Sequence, residues 1–364
     1  MKMLVINPGS TSTKISVYED ETSLFEENIF HDAPELLKFS NVNKQLPFRK
    51  AVILDLLKKH GISPSDIDVF IGRGGSAYPQ ESGVTEIDWQ LYRDTRDGVG
   101  GSEHPAKLGV MLAWEFGNEF GKPMYTLNPT NVDELCDLAR VTGIRGVYRN
   151  AQSHVLNQKI IAQTHAERLG KHYEDLNLIV SHIDGGITVN AHQNGRMIDG
   201  NVGAGGEGTF TPTRIGTIPV LPLLDYIEKH SVQEVRRMCS RSGGFVSHFG
   251  TADADAVHRL VESGDTRAIR VWNAMIYQIS QQIGAMAAVL CGKVDGILLT
   301  GGLMRFDDII SGIRERCGWI APITVYPGER EQDAMALSVL KVLRGEEKAR
   351  AYTGKPVWEG FPDD

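Results

Sequence analysis

The residues best suited to chemistry stand at the start of the chain, in the run Asn-Pro-Gly-Ser-Thr-Ser-Thr-Lys at 7–14. A short apolar strand leads into this run, and a second strand alternates back out of it, which predicts a β-hairpin. Gly9 lets backbone N–H groups approach a ligand closely, the hydroxyls of Ser10 and Ser12 can donate hydrogen bonds, and Lys14 adds positive charge. These groups suit a phosphate. The run is not a Walker A loop, because the second glycine before the lysine is missing and a strand follows.

A similar pattern recurs about 175 residues later, at 178–199. An apolar strand enters a polar turn containing Asp184, Gly185 and Gly186, an alternating strand leaves it, and an Asn-Gly pair leads into a third strand. Residues 24–29 supply the third strand of the first copy. One such unit alone could be an ordinary polar hairpin. Two of them, nearly half the chain apart, predict a duplicated domain whose phosphate-facing hairpins point into one cleft.

Two other glycine-rich stretches need separate interpretation. Arg73 follows a buried strand and lies among three glycines, which favours a ligand-facing arginine over a surface arginine in a tight turn. Residues 203–208 match the pattern G-x-G-x-x-G. A dinucleotide site needs a buried strand before that pattern and a helix after it. Neither is predicted here, so we interpret these residues as a loop.

Composition limits the class of protein. The chain has 364 residues, 41% of them hydrophobic, which is enough for two globular domains. A net charge of −8 argues against nucleic acid or an anionic membrane as a partner. Four scattered cysteines form no C-x-x-C pair and indicate a reducing compartment. We expect a cytoplasmic protein with no signal peptide and no membrane span.

The run at 7–14 resembles the first phosphate hairpin of the butyrate kinases, in the superfamily of acetate and sugar kinases, actin and heat-shock ATPases. The resemblance implies an α/β fold of duplicated actin-like (ribonuclease H-like) ATPase domains with a nucleotide cleft between them. The expected domains are residues 1–175 and 176–344, with packing of the last helix on the first domain as one option. Residues 345–364 are expected to form a solvated tail.

The same resemblance assigns roles to individual residues. Arg73 and Arg214 match the two arginines that face the carboxylic acid and the transferring phosphoryl group, and His182 matches a histidine directed at the phosphates. Glu331, with Asn7, is assigned to Mg²⁺, although an acidic residue in a first helical turn explains Glu331 equally well. The nucleotide- and phosphate-binding residues implied are Asn7, Gly9, Ser10, Ser12, Lys14, Asp184, Gly185, Gly186, Gly301 and Gly302.

Several positions depart from the family pattern. Asn128 precedes a proline where the family commonly has aspartate, and Asn cannot act as a base or a charged metal ligand. Asp184 stands where many members have glycine, and Gln332 stands where a second acid is expected. His154 matches a family histidine, but the residues before it, including Asn150, differ from the usual pattern, so a structural role is the alternative.

The resemblance implies ATP-dependent phosphorylation of a short-chain or branched fatty acid to an acyl phosphate, by direct and reversible in-line transfer. ATP or ADP and Mg²⁺ are the implied cofactors, and a homo-oligomer, a dimer or larger, is the implied assembly. Two alternatives stay open. One is a kinase of the same fold acting on a different small carboxylic acid, and the other is a nucleotide-dependent regulatory or binding protein.

Overall fold

A computed structural model describes residues 1–101 and 104–363. The chain divides into two compact units. The first unit comprises Met1–Asp133 and the residues from Arg330 onward, and the second unit comprises Glu134–Glu329. The sequence places the division between residues 175 and 176 and assigns the last helix to the second domain, with packing on the first domain as an option.

The strands are short, and most lie next to a polar turn. In chain order they are β1 (Lys2–Pro8), β2 (Ser12–Glu19), β3 (Thr22–Phe30), β4 (Val69–Gly72), β5 (Val84–Glu86), β6 (Met124–Leu127), β7 (Leu178–Ile183), β8 (Ile187–Gln193), β9 (Arg196–Gly200), β10 (Gly296–Gly301) and β11 (Ile323–Pro327). The central strands β1, β4, β7 and β10 are buried along nearly their whole length, because β-branched and other apolar residues dominate them.

The helices connect and cover these strands. In chain order they are α1 (Ala33–Leu36), α2 (Leu46–Lys59), α3 (Trp89–Asp97), α4 (Lys107–Phe120), α5 (Asp137–Arg140), α6 (Val155–Arg168), α7 (Val220–Ile227), α8 (Val232–Arg237), α9 (Gly244–Phe249), α10 (Ala254–Glu262), α11 (Thr266–Val289), α12 (Asp307–Cys317) and α13 (Glu331–Leu343). In the part of the chain that the structure describes, no helix combines the length and the apolar character needed to cross a bilayer.

The two units repeat one strand plan. Among the described residues, the first sheet has the order β3-β2-β1-β4-β6-β5 and the second the order β11-β10-β7-β8-β9. Each begins with an antiparallel meander, and the first strand of each meander then pairs in parallel with a later strand, β4 in the first sheet and β10 in the second. This repeat confirms the predicted duplication.

Local packing explains where the division between the units falls. Helix α6 shares a buried cluster with the second sheet, in which Ile161 and Ala166 pack with Val180 and Leu298. Helix α13 instead contacts β1, β2, β4, β5 and β6, and the Tyr18 hydroxyl of β2 donates to Asp333 of α13 at 2.7 Å. The apolar faces of these two helices therefore place α6 in the second unit and α13 in the first.

The carboxyl-terminal segment differs from the solvated tail that the composition predicts. Tyr352 is buried in the core of the first unit, and its hydroxyl donates to Asp94 at 3.1 Å. Arg350 exchanges backbone hydrogen bonds with the β5 strand, donating to Val84 and accepting from Glu86. Asp364, the last residue of the predicted tail, lies outside the described residues.

Candidate functional site

The first hairpin places a short polar loop at the end of β1. Pro8 pairs with Thr13 across the hairpin, which leaves residues 9–12 as its tip. The Gly9 N–H donates to the Ser12 carbonyl at 2.8 Å and closes the turn. Ser10 is exposed, and Gly9 and Ser12 are partly exposed. The loop can therefore offer backbone N–H groups and hydroxyls to an anion.

The positive charge of Lys14 faces a carboxylate of the neighbouring strand β3. Its ammonium lies 3.4 Å from the Glu26 carboxylate on β3, and both side chains are partly exposed. Any attraction that Lys14 exerts on an anion at the loop is weakened by this carboxylate, since the two charges largely cancel at a distance.

Arg73, Asn7 and Glu331 meet at the end of β4. The Glu331 carboxylate accepts from the Asn7 amide at 2.8 Å and forms an ion pair with the Arg73 guanidinium. Arg73 also donates from the same nitrogen to Asn7 Oδ1 at 3.2 Å. Asn7 and Glu331 are buried, whereas the Arg73 side chain is 17% exposed. Among the described residues, Nε and Nη2 of Arg73 make no hydrogen bond, so they can receive an anion.

Two glycines bring helix α4 against β4 just before Arg73. A Cβ on Gly72 would lie 2.0 Å from the Gly109 carbonyl oxygen, and a Cβ on Gly109 would lie 2.4 Å from the Arg73 carbonyl oxygen. Side chains at either position would force the helix and the strand apart. The glycines beside Arg73 thus fix its backbone by close packing.

Asn7 and Glu331 supply oxygen atoms that suit a magnesium ion. Mg²⁺ prefers hard oxygen ligands and is commonly held by one or two carboxylates together with substrate phosphates. The Glu331 carboxylate and the Asn7 side-chain oxygen both accept from Nη1 of Arg73, so these two oxygens lie close together at the end of β1. This donor set fits Mg²⁺.

Asn128 and Gln332 are both used for structure. The Asn128 side-chain oxygen accepts from the Gly83 N–H at 2.7 Å. Gln332 is 2% exposed and donates to the Ser16 hydroxyl on β2 at 3.0 Å. Both side chains therefore make hydrogen bonds that hold loops and strands of the first unit.

The second hairpin, in the second unit, is held by the side chain of Asp184. One carboxylate oxygen accepts from the Gly185 N–H at 2.7 Å, and the other accepts from the Gly302 N–H at 2.8 Å. Asp184 thus ties the tip of the second hairpin to the turn after β10. These two backbone donors stabilise the negative charge of the carboxylate.

Arg214 lies against the backbone of this hairpin. A Cβ on Gly186 would be 2.4 Å from Arg214 Nη1, and the guanidinium donates to the Gly203 carbonyl. The hydroxyls of Thr211 and Thr213 both donate to the Gly185 carbonyl, at 2.7 and 2.9 Å. The sequence predicts that Arg214 and the glycines of the second hairpin serve one site, and the structure brings them together.

The charge of Arg214 has no carboxylate partner in the described part of the chain. Burial lowers the pKa of its guanidinium, and its Nε is buried without a hydrogen-bond acceptor there. A buried cation without a counter-ion is costly unless an anion binds to it. The arrangement therefore favours an anionic ligand beside Gly186.

His182 and His154 are stacked in the second unit. Their ring centroids are 3.9 Å apart with an interplanar angle of 15°. The Asn157 amide lies 3.0 Å from His182 Nδ1 and also donates to the Thr300 hydroxyl. As an amide donor it makes Nδ1 an acceptor, which leaves the proton of a neutral His182 on Nε2. His154 Nδ1 lies 2.8 Å from the Thr188 hydroxyl, so His154 supports His182 by stacking.

Glu329 is a residue of this site that the sequence did not single out. Its carboxylate lies 3.6 Å from His182 Nε2. Ligand atoms of His182, Asp184 and Glu329 all lie within 4.8 Å of one another, close enough to hold a metal ion. The two glutamates at 329 and 331 could have drawn attention to it, but sequence alone does not show that they belong to different units.

The two glycines after β10 also have a local explanation. Gly301 has φ of 105°, and a Cβ there would lie 2.3 Å from the Ile183 carbonyl oxygen. A Cβ on Gly302 would lie 2.6 Å from Asp184 Oδ2. Their lack of side chains lets the ends of β7 and β10 approach, whether or not a nucleoside also binds there.

Asn150 and Arg49 differ from what the sequence suggests. Asn150 is exposed and does not join either group. Arg49, which the sequence does not single out, is fully buried and donates to the carbonyls of Gly9 and Ser12 in the first hairpin. The signal was its spacing: Arg49 precedes Ile53 by four residues and Leu56 by seven, so it lies on the apolar face of α2.

One known protein family matches part of the chain. Residues 139–310 match the model of the Acetokinase family. The matched segment contains the second hairpin, His182, Arg214 and the Gly301–Gly302 pair, and spans slightly less than half of the chain.

Solved structures extend the likeness to nearly the whole chain. The acetate kinase of Porphyromonas gingivalis is 19% identical with a TM-score of 0.76, over 94% of this chain and 99% of that one. A propionate kinase from Francisella tularensis is 16% identical with a TM-score of 0.74, over 93% and 98%. The acetate kinase of Entamoeba histolytica is also 16% identical with a TM-score of 0.74, over 94% and 99%. The chain has the two-domain actin-like ATPase fold of these kinases.

Proposed function

We propose that the chain is an ATP-dependent acyl kinase that converts a short-chain or branched carboxylic acid, such as butyrate, into an acyl phosphate. The observation that carries this proposal is Arg214, a guanidinium packed on the Gly186 backbone with no ion pair in the described residues. The match to the Acetokinase family covers the same segment. The resemblance of residues 7–14 to the butyrate kinases supports the choice of acid, and a dimer or larger homo-oligomer is part of the proposal.

The proposed reaction needs charge stabilisation more than proton transfer. A short carboxylic acid has a pKa of about 4 to 5, so it is already ionised at neutral pH and needs no general base. The difficulty lies in bringing two anions together and in stabilising the oxygens of the phosphoryl group during in-line transfer. Arg73 would bind the acid through its unpaired nitrogens. Arg214 and the Nε2 proton of His182 would bind the transferring phosphoryl group.

Asn7 and Glu331 would hold Mg²⁺, which supplies positive charge at the phosphates when bound. Arg73 orients the Glu331 carboxylate, and Asn7 presents its oxygen on the same side. Because Glu331 pairs with Nη1 of Arg73, the acid would bind at Nε and Nη2 of that guanidinium.

A hydroxamate assay tests the proposal. The protein is incubated with ATP, Mg²⁺, hydroxylamine and each of the straight acids from acetate to hexanoate, with isobutyrate and isovalerate. We expect hydroxamate to form, most rapidly with butyrate or a branched acid. Arg214→Met and Arg73→Met should each lower kcat about 10²- to 10³-fold, because a donor to the developing charge is lost. Arg259→Met, at an exposed arginine, is the control.

Three results would change the conclusion. Turnover that is fastest with acetate or propionate would support an acyl kinase and contradict the butyrate assignment. Activity with other small carboxylic acids alone would favour a different kinase of this fold. ATP hydrolysis without any acid, or nucleotide binding without turnover, would contradict the kinase and favour a nucleotide-dependent regulator.

A further inference from the structure

The buried side chain of Arg49 forms hydrogen bonds to the first hairpin from the interior of the first unit. The residue lies on α2 and is fully buried. Its Nη1 donates to the Ser12 carbonyl at 2.7 Å and to the Thr13 hydroxyl at 2.9 Å, and its Nη2 donates to the Gly9 carbonyl at 3.0 Å. Nε and Nη2 also donate to the side-chain oxygen of Gln45, at 3.1 and 3.0 Å. The guanidinium is thus fully engaged, and every acceptor is neutral.

The positive charge of Arg49 is not balanced locally. No carboxylate forms an ion pair with it in the part of the chain that the structure describes. Burial lowers its pKa to about 10, which still leaves it protonated at neutral pH. Neutral acceptors solvate a buried cation only in part, so such a charge is usually paired with an anion. The arrangement leaves a net positive charge directly beneath the loop of residues 9–13.

The contacts also decide which way the loop backbone faces. A trans peptide unit points its carbonyl and its N–H in opposite directions. Because the Gly9 carbonyl is turned inward to Arg49, the N–H of Ser10 in the same peptide unit points away from the guanidinium. Ser10 is exposed. The inward carbonyl therefore directs a backbone donor outward from the loop.

A second buried group supports this orientation. The Thr13 hydroxyl accepts from Arg49 and lies 2.7 Å from Nε2 of His31, a buried histidine. The Thr13 hydroxyl is therefore held between the Arg49 guanidinium and the His31 ring. Gln45, His31 and Thr13 thus hold the guanidinium in one position under the loop.

We propose that Arg49 is a positioning residue for a phosphate-binding loop at residues 9–13, where it orients the backbone donors and adds a fixed positive charge behind them. The ligand class is the phosphate chain of a nucleoside triphosphate. This inference rests on the proposed function for the choice of a nucleotide. It adds a residue outside the loop that sets the affinity of the loop for phosphate and does not touch the ligand.

Calorimetric titration of ATP, ADP and adenosine into the wild type and two variants tests the inference. Arg49→Met removes both the charge and the guanidinium donors, whereas Arg49→Lys keeps the charge but loses the planar arrangement of donors. We expect Arg49→Met to raise the Kd of ATP at least about tenfold, because the loop loses the fixed positive charge behind it and the contacts that orient its backbone donors. The Kd of ATP for Arg49→Lys should lie between the values for Arg49→Met and the wild type. The Kd of adenosine should stay within about twofold, since the loop acts on phosphate.

Lys58→Met is the matched control, because Lys58 is an exposed cation on the same helix. Circular dichroism and thermal melting verify that each variant is folded. Where Arg49→Met does not fold, Arg49→Lys decides, since it must weaken ATP relative to adenosine. An unchanged ATP Kd in a folded variant, or equal losses for ATP and adenosine, would overturn the inference.

The test separates this inference from the proposed function. A wild type that binds ATP but phosphorylates no acid would overturn the kinase and leave the role of Arg49 to the titrations. A kinase whose Arg49 variants bind ATP normally would overturn the role of Arg49 alone. A wild type that binds no nucleotide would overturn both.

Discussion

Asn128 shows how a residue that departs from a family pattern can be required for another reason. Its backbone lies in the left-handed region, with φ of 42°, and its side-chain oxygen accepts from the Gly83 N–H. Asparagine tolerates this conformation better than most residues, because its short polar side chain can bond locally. The position is therefore set by the loop geometry, and an acid there would keep the same acceptor.

The prediction for Asn128 is a contrast between two substitutions. Asn128→Asp should change the free energy of unfolding by less than about 0.5 kcal/mol, because the acceptor to Gly83 is kept. Asn128→Ala should lower it by about 1–3 kcal/mol, through the lost hydrogen bond and the strained backbone. Urea unfolding measures both values. Equal stability of the two variants would contradict the assigned contact.

His192 is a buried histidine that the proposed chemistry does not use. Tyr173 donates to its Nδ1 at 2.7 Å, and its Nε2 lies 3.1 Å from the Gln158 side-chain oxygen. Burial is the main cause that lowers its pKa to about 3, with the nearby charge of Lys159 adding to the effect. The residue therefore stays neutral in the folded protein throughout the physiological range.

A pH dependence of stability follows from His192. An unfolded histidine has a pKa of about 6.5, so the unfolded state binds a proton below that pH while the folded state does not. The contribution of His192 to the free energy of unfolding is complete above pH 6.5. As the pH drops toward 3, the free energy of unfolding falls by up to about 1.4 kcal/mol per pH unit because of this group.

Urea unfolding between pH 7.5 and 4.5 tests this dependence. His192→Gln should show a shallower fall of stability than the wild type, because it removes the group that takes up the proton. His172→Gln, at an exposed histidine, should keep the slope of the wild type. An unchanged slope in His192→Gln would refute the assignment.

At the scale of elements, the turn after β10 depends on a glycine. Gly301 has φ of 105° and ψ of 170°, a conformation that only glycine adopts readily, and it leaves no room for a Cβ beside Ile183. Gly284 is the opposite case, because it lies inside α11 with open space around the position of a Cβ.

The two glycines give a matched pair of predictions. Gly301→Ala should lower the free energy of unfolding by about 2–4 kcal/mol, because strain and overpacking add. Gly284→Ala should raise it by about 0.5–1 kcal/mol, since alanine is the better helix former. Thermal and urea unfolding measure both changes. A stable Gly301→Ala protein would mean that the ends of β7 and β10 can separate at little cost.

The same scale shows what a single sequence can predict. The strands of both meanders were predictable, because apolar runs meet turns rich in glycine, asparagine and hydroxyl residues. Strand β5 was not, because its three residues pair with β6 across about 40 positions and carry no pattern of their own. Helices α3 and α12 were also missed. They have only 9 and 11 residues, so each covers few turns and gives a short periodic signal.

Some features of the candidate site could be predicted from the sequence and others could not. The polar tips of the hairpins, Arg73 and Arg214 could be singled out from local sequence. The partnership of Arg214 with Gly186 could not, because tertiary packing joins residues 28 positions apart. The anchoring of Asp184 to Gly302 and the burial of Arg49 beneath the first hairpin were hidden for the same reason.

At the scale of the whole chain, the carboxyl-terminal segment is part of the first unit. Tyr352 is 7% exposed, and its ring belongs to the same core as Leu91 and Leu108. Tyr352→Ala should lower the free energy of unfolding by about 3–5 kcal/mol through the cavity that it leaves. Tyr352→Phe should lower it by about 1 kcal/mol, since only the hydroxyl contacts are lost. A melting temperature of Tyr352→Ala equal to that of the wild type would show that the segment is dispensable.

The return of α13 to the first sheet has a consequence for synthesis on the ribosome. The second unit is continuous in sequence, whereas the first unit is assembled from the two ends of the chain. The sheet of the first unit is made before the second unit but lacks its last helix, and Asn7 lacks Glu331, until residues 331–343 have been synthesised. We therefore expect the second unit to reach its native state before the first unit. The first unit stays incomplete in that interval and relies on chaperones.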